Sequence, residues 1–392
     1  MKTNFYFTST PQIVFGPGKI QLLTEYIKQF GHTALIFTGS IWFKQSEKYD
    51  ALIRSLDQNN LNHYHDQVSG EPSPQFVNRV VEDMKDKSID VVVAIGGGSV
   101  IDAGKAVSAM LGKNEDVENY LEGIGTKTHD GTKIAFIAIP TTAGTGSEAT
   151  KNAVLSKIGK SGFKKSMRHD NFVPDIALID PELTISCPPE VTAACGMDAF
   201  TQLLESYVSV SASPITDVLA YQGISNLKDK LLLASTTGAQ DIEVRAGMSF
   251  ASLLSGITLA NAGLGIVHGL ASPIGSYFKI PHGVICGSLI GAATSINIEL
   301  MREKRDENLL GLKKYADIGQ LFSGNKCKNM DQCCDYLINS IEQWIDALEI
   351  PKLGIYGVSE EDIDKIVRNS GNKYNPINLG QEEIARIVRE RL

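Results

Sequence analysis

Several features that mark other protein classes are scarce in this sequence. Its 392 residues include six cysteines, with no Cys-x-x-Cys pair and no zinc-site spacing, so we expect reduced thiols and no cysteine ligand to a metal. Its apolar stretches, such as Ile89–Ile95 and Ile134–Pro140, are far shorter than the roughly 20 residues that span a bilayer. Residues 1–10 contain no hydrophobic signal core. These absences predict a cytoplasmic protein with no membrane partner.

A basic run is missing as well. The chain has 37 Lys and Arg against 45 Asp and Glu, which gives a formal net charge of −8. This balance argues against nucleic acid as the main partner. The hydrophobic content of 43% is ordinary for a globular protein and is enough for a sizeable core.

The first part of the chain alternates β-rich and helical runs. We expect strands at Ala34–Thr38, Ile89–Ile95 and Ile134–Ile139. Helices are expected between them, at Asp50–Asn59 and Val100–Leu111. Continuous apolar strands that alternate with amphipathic helices predict a parallel sheet covered on both faces, and therefore an α/β domain.

The pattern changes near Pro188, after which helical periodicity dominates and strand signals are few. The helices expected in this half are Val191–Ser209, Ile215–Leu233, Ile242–Leu259 and Val284–Glu299. We therefore predict two domains, an α/β domain over residues 1–187 and an all-α domain over 188–392. No long linker separates them, so they should pack directly with a cleft between them.

A glycine-rich loop gives the first chemical signal. The buried strand that begins at Val91 runs into Gly96, Gly97, Gly98 and Ser99, and a helix begins at once. Glycines let backbone amides approach a ligand, and a helix N-terminus favours a pyrophosphate. The spacing is not the usual GxGxxG, and a tight strand-to-helix turn would explain a lone glycine run equally well.

A second polar loop strengthens the interpretation. Residues Pro140–Glu148 (PTTAGTGSE) follow the next buried strand, at the same carboxyl edge of the predicted sheet. Ligands of open α/β sheets bind along that edge. Two such loops after adjacent strands indicate a dinucleotide-binding site.

Candidate metal ligands occur in the helical half. Asp198 and Gln202 share a helix face at i, i+4, and Glu205 lies one turn further on. Of seven histidines, only His268 and His282 lie in apolar, glycine-flanked surroundings. A carboxylate and two imidazoles can bind Zn²⁺ or Fe²⁺ with a position open for substrate. Taken alone, each histidine is better explained as a residue of the core.

Together these motifs resemble the iron-containing (group III) alcohol dehydrogenase family. The resemblance covers nearly the whole chain in family order and spacing, through Phe15–Gly18, Gly96–Lys105 with Asp102, Pro140–Glu148, Ile179–Thr184, the Asp198 helix, and His268 with His282. It implies a Rossmann-like N-terminal domain, an all-α C-terminal domain as in dehydroquinate synthase, and a cleft for NAD or NADP and a divalent metal. A homodimer is also expected.

The resemblance implies roles for individual residues. Asp198, His268 and His282 match catalytic metal ligands, whereas the family's fourth ligand, a histidine, is replaced here by Gln202. A second family histidine is replaced by Ser272. An amide oxygen is a poorer ligand than imidazole for such metals, so Gln202 coordinates weakly or water takes its place. The identity of the metal, Fe²⁺ or Zn²⁺, therefore stays open, as does metal-free chemistry.

The cofactor residues also follow from the resemblance. They are Gly39, Ser40, Gly96, Gly97, Gly98, Ser99, Asp102, Thr141, Thr142, Thr145 and Ser147. NAD-selective members carry an aspartate where this chain has Gly39. Loss of that carboxylate removes the barrier to NADP without creating a preference for it.

The implied reaction is hydride transfer between NAD(P) and a primary alcohol or aldehyde, with the metal as Lewis acid. Asn152, Lys164 and Lys373 are the expected substrate residues. Lysines facing a cleft, with Lys151 nearby, would suit the terminal hydroxyl of a sugar acid, as in a family branch of lipopolysaccharide biosynthesis. Solvated lysines, or lysines on a cofactor phosphate, are an equally good explanation. A lyase of the dehydroquinate-synthase type and a non-catalytic binding protein remain alternatives.

Overall fold

The structure is a computed structural model that describes residues 4–39, 43–159, 162–324 and 326–392. Six parallel strands form the main sheet: β1 (Gln12–Phe15), β2 (Thr33–Gly39), β3 (Asn62–Val68), β4 (Val91–Gly96), β5 (Ala135–Pro140) and β8 (Ile176–Ile179). Their order in the sheet is β1-β8-β5-β4-β2-β3. The other two strands, β6 (Asn152–Lys157) and β7 (Phe163–Arg168), pair in a separate antiparallel hairpin.

Helices cover both faces of this sheet. They are α1 (Leu23–Phe30), α2 (Glu47–Gln58), α3 (Pro74–Met84) and α4 (Gly98–Met110). Strand β4 is buried throughout, and its side chains alternate between two hydrophobic clusters, Val92 towards α3 and α4 and Val93 towards α1 and α2. The predicted α/β architecture, with a parallel sheet covered on both faces, is confirmed.

The second half of the chain is helical. It contains α5 (Pro189–Val208), α6 (Pro214–Ala234), α7 (Ile242–Ala262), α8 (Ile266–Tyr277), α9 (His282–Glu303), α10 (Arg305–Phe322), α11 (Met330–Ala347), α12 (Glu360–Arg368) and α13 (Gln381–Arg389). The four helices expected from the sequence correspond to α5, α6, α7 and α9 and are confirmed. Strand β8 ends at Ile179 and α5 begins at Pro189. The boundary between residues 187 and 188 remains a prediction.

Capping residues explain where several helices begin. Ser213 and Thr216 form a reciprocal capping box at the start of α6, and Pro214 occupies its first turn. The Asp241 side chain accepts hydrogen bonds from two backbone N–H groups of α7. These local signals set the positions of the long helices that flank the site.

A sharp corner joins α7 and α8, whose axes differ by 100°. Gly263 lies at the corner with a φ of +69°, in the left-handed region that glycine adopts without strain. A Cβ atom at Gly263 would lie 2.5 Å from the ring of Tyr374, and one at Gly265 would lie 2.9 Å from Glu205. The corner therefore requires glycine, and it turns the start of α8 towards α5.

Helix α9 is long and apolar enough to cross a membrane by length and composition, and among the described residues the bent α7–α8 pair passes the same test. Inside the protein, 83% of the apolar window of α9 is buried. A helix in the middle of a protein core has this composition too.

Candidate active site

A cavity of about 420 Å³ lies between the sheet half and the helical half. The end of the glycine loop lines it on one side, and α5, α8 and α9 line it on the other. Its lining includes the predicted site residues Gly98, Ser99, Asp102, Thr145, Ser147, Asn152, Lys164, Gln202, His268, His282 and Lys373. The structure thus brings members of the candidate cofactor, metal and substrate sets to one cleft, whereas Gly39, Gly96, Gly97, Thr141, Thr142 and Asp198 are not among the residues that line it.

The two polar loops lie against each other at the edge of the sheet. Strands β4 and β5 pair so that Gly96 is opposite Pro140, and Thr141 N–H donates a 3.0 Å hydrogen bond to the Gly96 carbonyl. A Cβ atom on Gly98 would lie 2.5 Å from Thr145 Oγ1. This contact leaves no room for a side chain, so the backbone at the start of α4 stays accessible to a ligand.

Helix α4 begins without a side-chain cap. Its N-cap residue, Gly97, has extended backbone angles, and the first amide groups of the helix have no partner within it. Unpaired N–H groups and the helix dipole make this end of α4 suited to an anion.

A buried lysine fixes the second loop. Lys105 Nζ donates to the carbonyls of Ser147 and Asn152 at 2.8 and 2.9 Å, and to Thr150 Oγ1 at 2.8 Å. Asp102 Oδ2 accepts from Val154 N–H at 3.0 Å. Both side chains belong to α4. This helix therefore holds in place both the second polar loop, Pro140–Glu148, here called the threonine loop, and the β6–β7 hairpin.

A larger cavity of about 870 Å³ is lined by the first residues of the threonine loop. Among the residues that line it are Phe43, Thr141, Thr142, Leu183 and Ile242. Gly39 ends β2 opposite Val68. The predicted cofactor residue Ser40 lies outside the described residues.

Four ligand atoms converge at the helical side of the cleft. They belong to Asp198 on α5, His268 on α8, and His282 and Cys286 on α9, and all lie within 4.8 Å of one another. Asp198 Oδ1 is 3.4 Å from His268 Nε2 and 3.7 Å from His282 Nε2. Oδ1 is buried and has no hydrogen-bond partner among the described residues. A buried carboxylate oxygen that has no hydrogen bond and lies close to two imidazole nitrogens fits a site for a divalent cation.

Glu205 orients one of the imidazoles. Its Oε2 lies 2.7 Å from His268 Nδ1, and its Oε1 accepts a 2.7 Å hydrogen bond from Val267 N–H. A carboxylate on Nδ1 fixes the tautomer and leaves the Nε2 lone pair for a metal, the arrangement that metal-binding histidines use.

Burial by itself lowers the pKa of both imidazoles. For His282 this effect prevails, and its pKa falls to about 4 despite the nearby Asp198. For His268 the neighbouring Cys286, Asp198 and Glu205 prevail and raise the pKa well above its ordinary value. Burial opposes ionisation of Asp198, but His282 and His268 hold its pKa below the usual range. The group therefore offers a carboxylate and a neutral imidazole, both of which bind cations.

The sequence interpretation expected no cysteine ligand, and this expectation stays a prediction. The Cys286 sulfur is nevertheless one of the four converging atoms. The signal was present in the spacing, since Cys286 follows His282 at i+4 and so shares its helix face.

The two positions that depart from the family pattern have other partners. Ser255 Oγ lies 2.9 Å from Gln202 Oε1 and donates to it, so coordination by Gln202 would compete with this hydrogen bond. Ser272 Oγ donates to the Lys164 carbonyl at 3.0 Å. Coordination by Gln202 stays a prediction.

Most cationic side chains near the cleft are already paired. Lys164 forms an ion pair with Glu71, Arg168 pairs with Glu122 at 3.0 Å, and Lys151 pairs with Asp170 at 2.8 Å. Lys373 is exposed and lies 5.0 Å from the ring centroid of Tyr374. Pairing reduces the positive charge that Lys164 could offer to an acidic substrate.

The comparisons with known proteins indicate the same family for both halves of the chain. The family model for iron-containing alcohol dehydrogenases matches residues 10–181, and the model for the C-terminal part of that family matches residues 192–392. The chain is 32% identical over 371 residues to long-chain-alcohol dehydrogenase 1 of Geobacillus thermodenitrificans, covering 92% of this chain and 90% of the relative. It is 30% identical over 393 residues to the NADPH-dependent butanol dehydrogenase of Clostridium saccharobutylicum, covering 97% and 96%.

A solved structure gives the same result. An archaeal halo-thermophilic alcohol dehydrogenase from a Red Sea brine pool superposes with a TM-score of 0.90 at 25% identity, covering 100% of this chain and 99% of that chain. The chain belongs to the iron-containing alcohol dehydrogenase family. It is an NAD(P)-dependent oxidoreductase of alcohols that uses a divalent metal.

Proposed function

We propose that this chain interconverts primary alcohols that carry an apolar chain and their aldehydes in the 420 Å³ cleft. One observation carries the proposal, namely that the start of α4 and the imidazoles of His268 and His282 line the same cavity. Hydride transfer needs the nicotinamide and the substrate carbon in contact, and a shared cavity provides for this.

The cofactor would lie across the glycine loop. Its pyrophosphate would meet the amide groups at Gly97, Gly98 and Ser99, where α4 begins. The two cavities could take the two halves of a dinucleotide, the nicotinamide in the 420 Å³ cavity and the adenosine in the 870 Å³ cavity. Thr142 lines the larger cavity and Thr145 the smaller one.

The metal would be held by Asp198, His268 and His282, with Glu205 fixing the ring of His268. When bound, such an ion supplies Lewis acidity to a substrate oxygen. The protein contributes position and exclusion of water. Leu259, Leu264 and Tyr374 line the cleft beside the two imidazoles and would shield the reacting carbon from solvent.

The charges around the cleft favour an uncharged substrate. Lys164 and Arg168 are neutralised by Glu71 and Glu122. The relatives named above are dehydrogenases of long-chain alcohols and of butanol. We therefore assign a primary alcohol or aldehyde with an apolar chain as the substrate.

A sugar acid is the second candidate. Lys373 lines the cleft, and no carboxylate lies within ion-pair distance of it among the described residues. It could bind a substrate carboxylate at the rim. A lyase of the dehydroquinate-synthase type is disfavoured, because both halves of the chain match models of the iron-containing alcohol dehydrogenases.

The test is a screen of metal-reconstituted enzyme with alcohols, aldehydes and sugar acids, each with NAD(H) and NADP(H). We expect a change in absorbance of the reduced nicotinamide with primary alcohols or aldehydes. The variant Lys373→Gln should leave butanol turnover unchanged. If only sugar acids react, and Lys373→Gln raises their KM, the second candidate replaces the first.

A further inference from the structure

We propose that Cys286 is the fourth metal ligand of this site and gives it a thiolate preference for Zn²⁺. The inference rests on the proposed metal site at Asp198, His268 and His282, and it goes beyond it in naming a ligand and a metal. The family resemblance assigns the fourth place to the position of Gln202. In this chain the ligand comes from a different helix.

The sulfur has the position of a ligand. Cys286 Sγ lies 3.7 Å from His268 Nε2 and 3.7 Å from His282 Nε2. Metal–ligand distances of about 2.0–2.3 Å put tetrahedral ligand atoms about 3.3–3.7 Å apart. The separations of Asp198 Oδ1 from the two imidazole nitrogens, 3.4 and 3.7 Å, fall in the same range. Four separations among these atoms, which lie on three helices, thus match tetrahedral spacing, and all four atoms lie within 4.8 Å of one another.

The buried carboxylate is an independent indication of a cation. Asp198 is 1% exposed, and its Oδ1 has no hydrogen-bond partner among the described residues. A buried carboxylate oxygen that lacks a hydrogen bond is costly, and a cation at the same point would supply the missing partner. Cys286 is completely buried beside it.

In the family the fourth ligand stands at the position of Gln202, and in this chain the Gln202 side chain has another partner. Gln202 Oε1 accepts the hydroxyl of Ser255 at 2.9 Å, which holds the amide oxygen on that residue. Because His282 and Cys286 are one turn apart on α9, the same helix can present both side chains to the ion. The ligand lost on α5 is therefore replaced on α9.

The donor set determines the metal. Thiolate sulfur together with imidazole favours Zn²⁺, whereas a purely nitrogen and oxygen set suits Fe²⁺ equally well. Coordination exchanges the thiol proton of Cys286 for the metal, and the proton leaves to solvent. Two anionic ligands, Asp198 and Cys286, then balance the charge of a divalent ion.

Cobalt substitution tests the sulfur directly. The full-length protein is stripped of metal and titrated with Co²⁺, which gives a thiolate-to-metal charge-transfer band in the near ultraviolet when sulfur is bound. We expect the band in the wild type and in the matched control Cys334→Ser, a buried cysteine of α11. Cys286→Ser should lose the band and bind Zn²⁺ at least about tenfold more weakly in competition with a chromophoric chelator.

The outcomes separate this proposal from the site itself. Co²⁺ binding without a charge-transfer band in the wild type, or a band that persists in Cys286→Ser, overturns the assignment of Cys286. If His268→Ala retains Zn²⁺ like the wild type, the metal site of the proposed function is wrong as well. Loss of metal in His268→Ala together with unchanged Zn²⁺ affinity in Cys286→Ser overturns only the cysteine ligand. The wild-type band needs no variant, so a variant that fails to fold does not remove the test.

Discussion

The family resemblance predicts that position 39 affects the choice between NAD and NADP. Gly39 ends β2, and a Cβ atom there would lie 3.9 Å from Val100 Cγ2, an ordinary contact. Gly39→Asp should therefore fold, and its carboxylate should repel the 2′-phosphate of NADPH. We expect the Kd for NADPH to rise by at least about tenfold, an energy of about 1.4 kcal/mol, with little change for NADH.

Fluorescence titration with both reduced cofactors measures this, and Gly39→Asn is the uncharged control. If NADH and NADPH weaken equally in Gly39→Asp, residue 39 does not approach the ribose.

We predict that Glu205 affects metal affinity through its contact with His268. Glu205→Gln would keep the shape of the side chain but replace the charge-assisted hydrogen bond to Nδ1 with a neutral one. Changes to such supporting groups typically cost 10–100-fold in metal affinity, and we expect a loss in that range for Zn²⁺. Chelator competition measures it. Wild-type affinity in Glu205→Gln would show that the histidine is positioned by packing alone.

At the scale of elements, we expect the start of α4 to bind the pyrophosphate of the cofactor. A Cβ atom on Gly97 would lie 3.3 Å from Thr142 Oγ1, which is tight, and the extended backbone there accepts any residue. Gly97→Val should fold but place two methyl groups over the amides that would bind pyrophosphate. We expect no detectable nucleotide binding by calorimetry, and a smaller loss for Gly97→Ala. Undiminished binding in Gly97→Val would move the cofactor elsewhere.

The short turn after the threonine loop contains a buried acid. Burial raises the pKa of Glu148 to about 7, and one carboxylate oxygen has no partner among the described residues. The unfolded chain releases this proton near pH 4.3, so the folded state binds it more tightly. The contribution of Glu148 to stability is thus full below about pH 4 and is lost as the pH rises through 7.

Glu148→Gln removes that loss. Between about pH 5 and pH 8 the free energy of unfolding should fall less in the variant than in the wild type, by on the order of 3 kcal/mol. Urea unfolding at several pH values measures the difference. Parallel pH profiles for the two proteins would mean that the acid is solvated or paired in the folded state.

Helices and strands were predictable from the sequence where the hydrophobic periodicity was strong. Helix α8 was not predicted, because its sequence lacks such a clear pattern. Pro273 lies inside that helix and marks a helix end when the sequence is read alone. Strand β7, with the sequence FKKSMR, is polar because it belongs to a hairpin outside the main sheet. In both cases tertiary packing decides the conformation, and this packing cannot be inferred from a single sequence.

The candidate site, too, was predictable from local motifs but not where it depends on tertiary contacts. Asp198, His268 and His282 could be assigned from motifs, and the structure brings them together. The pairing of Lys164 with Glu71 joins residues 93 positions apart, so the charge of the lysine could not be judged beforehand. Cys286 was overlooked because cysteine spacing was compared only with other cysteines.

At the scale of the whole molecule, the metal and the cofactor should stabilise the fold through different parts. The ligand atoms belong to α5, α8 and α9, whereas the 870 Å³ cavity is lined from both halves, by Thr141 and by Ile242. At 100 times its Kd each ligand should add about 2.7 kcal/mol. We expect the melting temperature with Zn²⁺ and nucleotide together to exceed that with either alone.

Differential scanning calorimetry in a two-by-two design measures these effects. His268→Ala should lose the rise with Zn²⁺ and keep the rise with nucleotide. An equal rise with Zn²⁺ in that variant would place the ion outside the proposed site. The homodimer and the cytoplasmic location remain predictions.

Glu205 touches α8 twice, with one oxygen on the Val267 amide and the other on the His268 ring. Formation of the first turn of α8 and orientation of the ligand are therefore a single event, completed when the chain folds. An arriving ion would then meet a His268 ring that is already oriented. Cells short of the metal would thus accumulate a folded, idle enzyme that starts working when the supply returns, with no new synthesis.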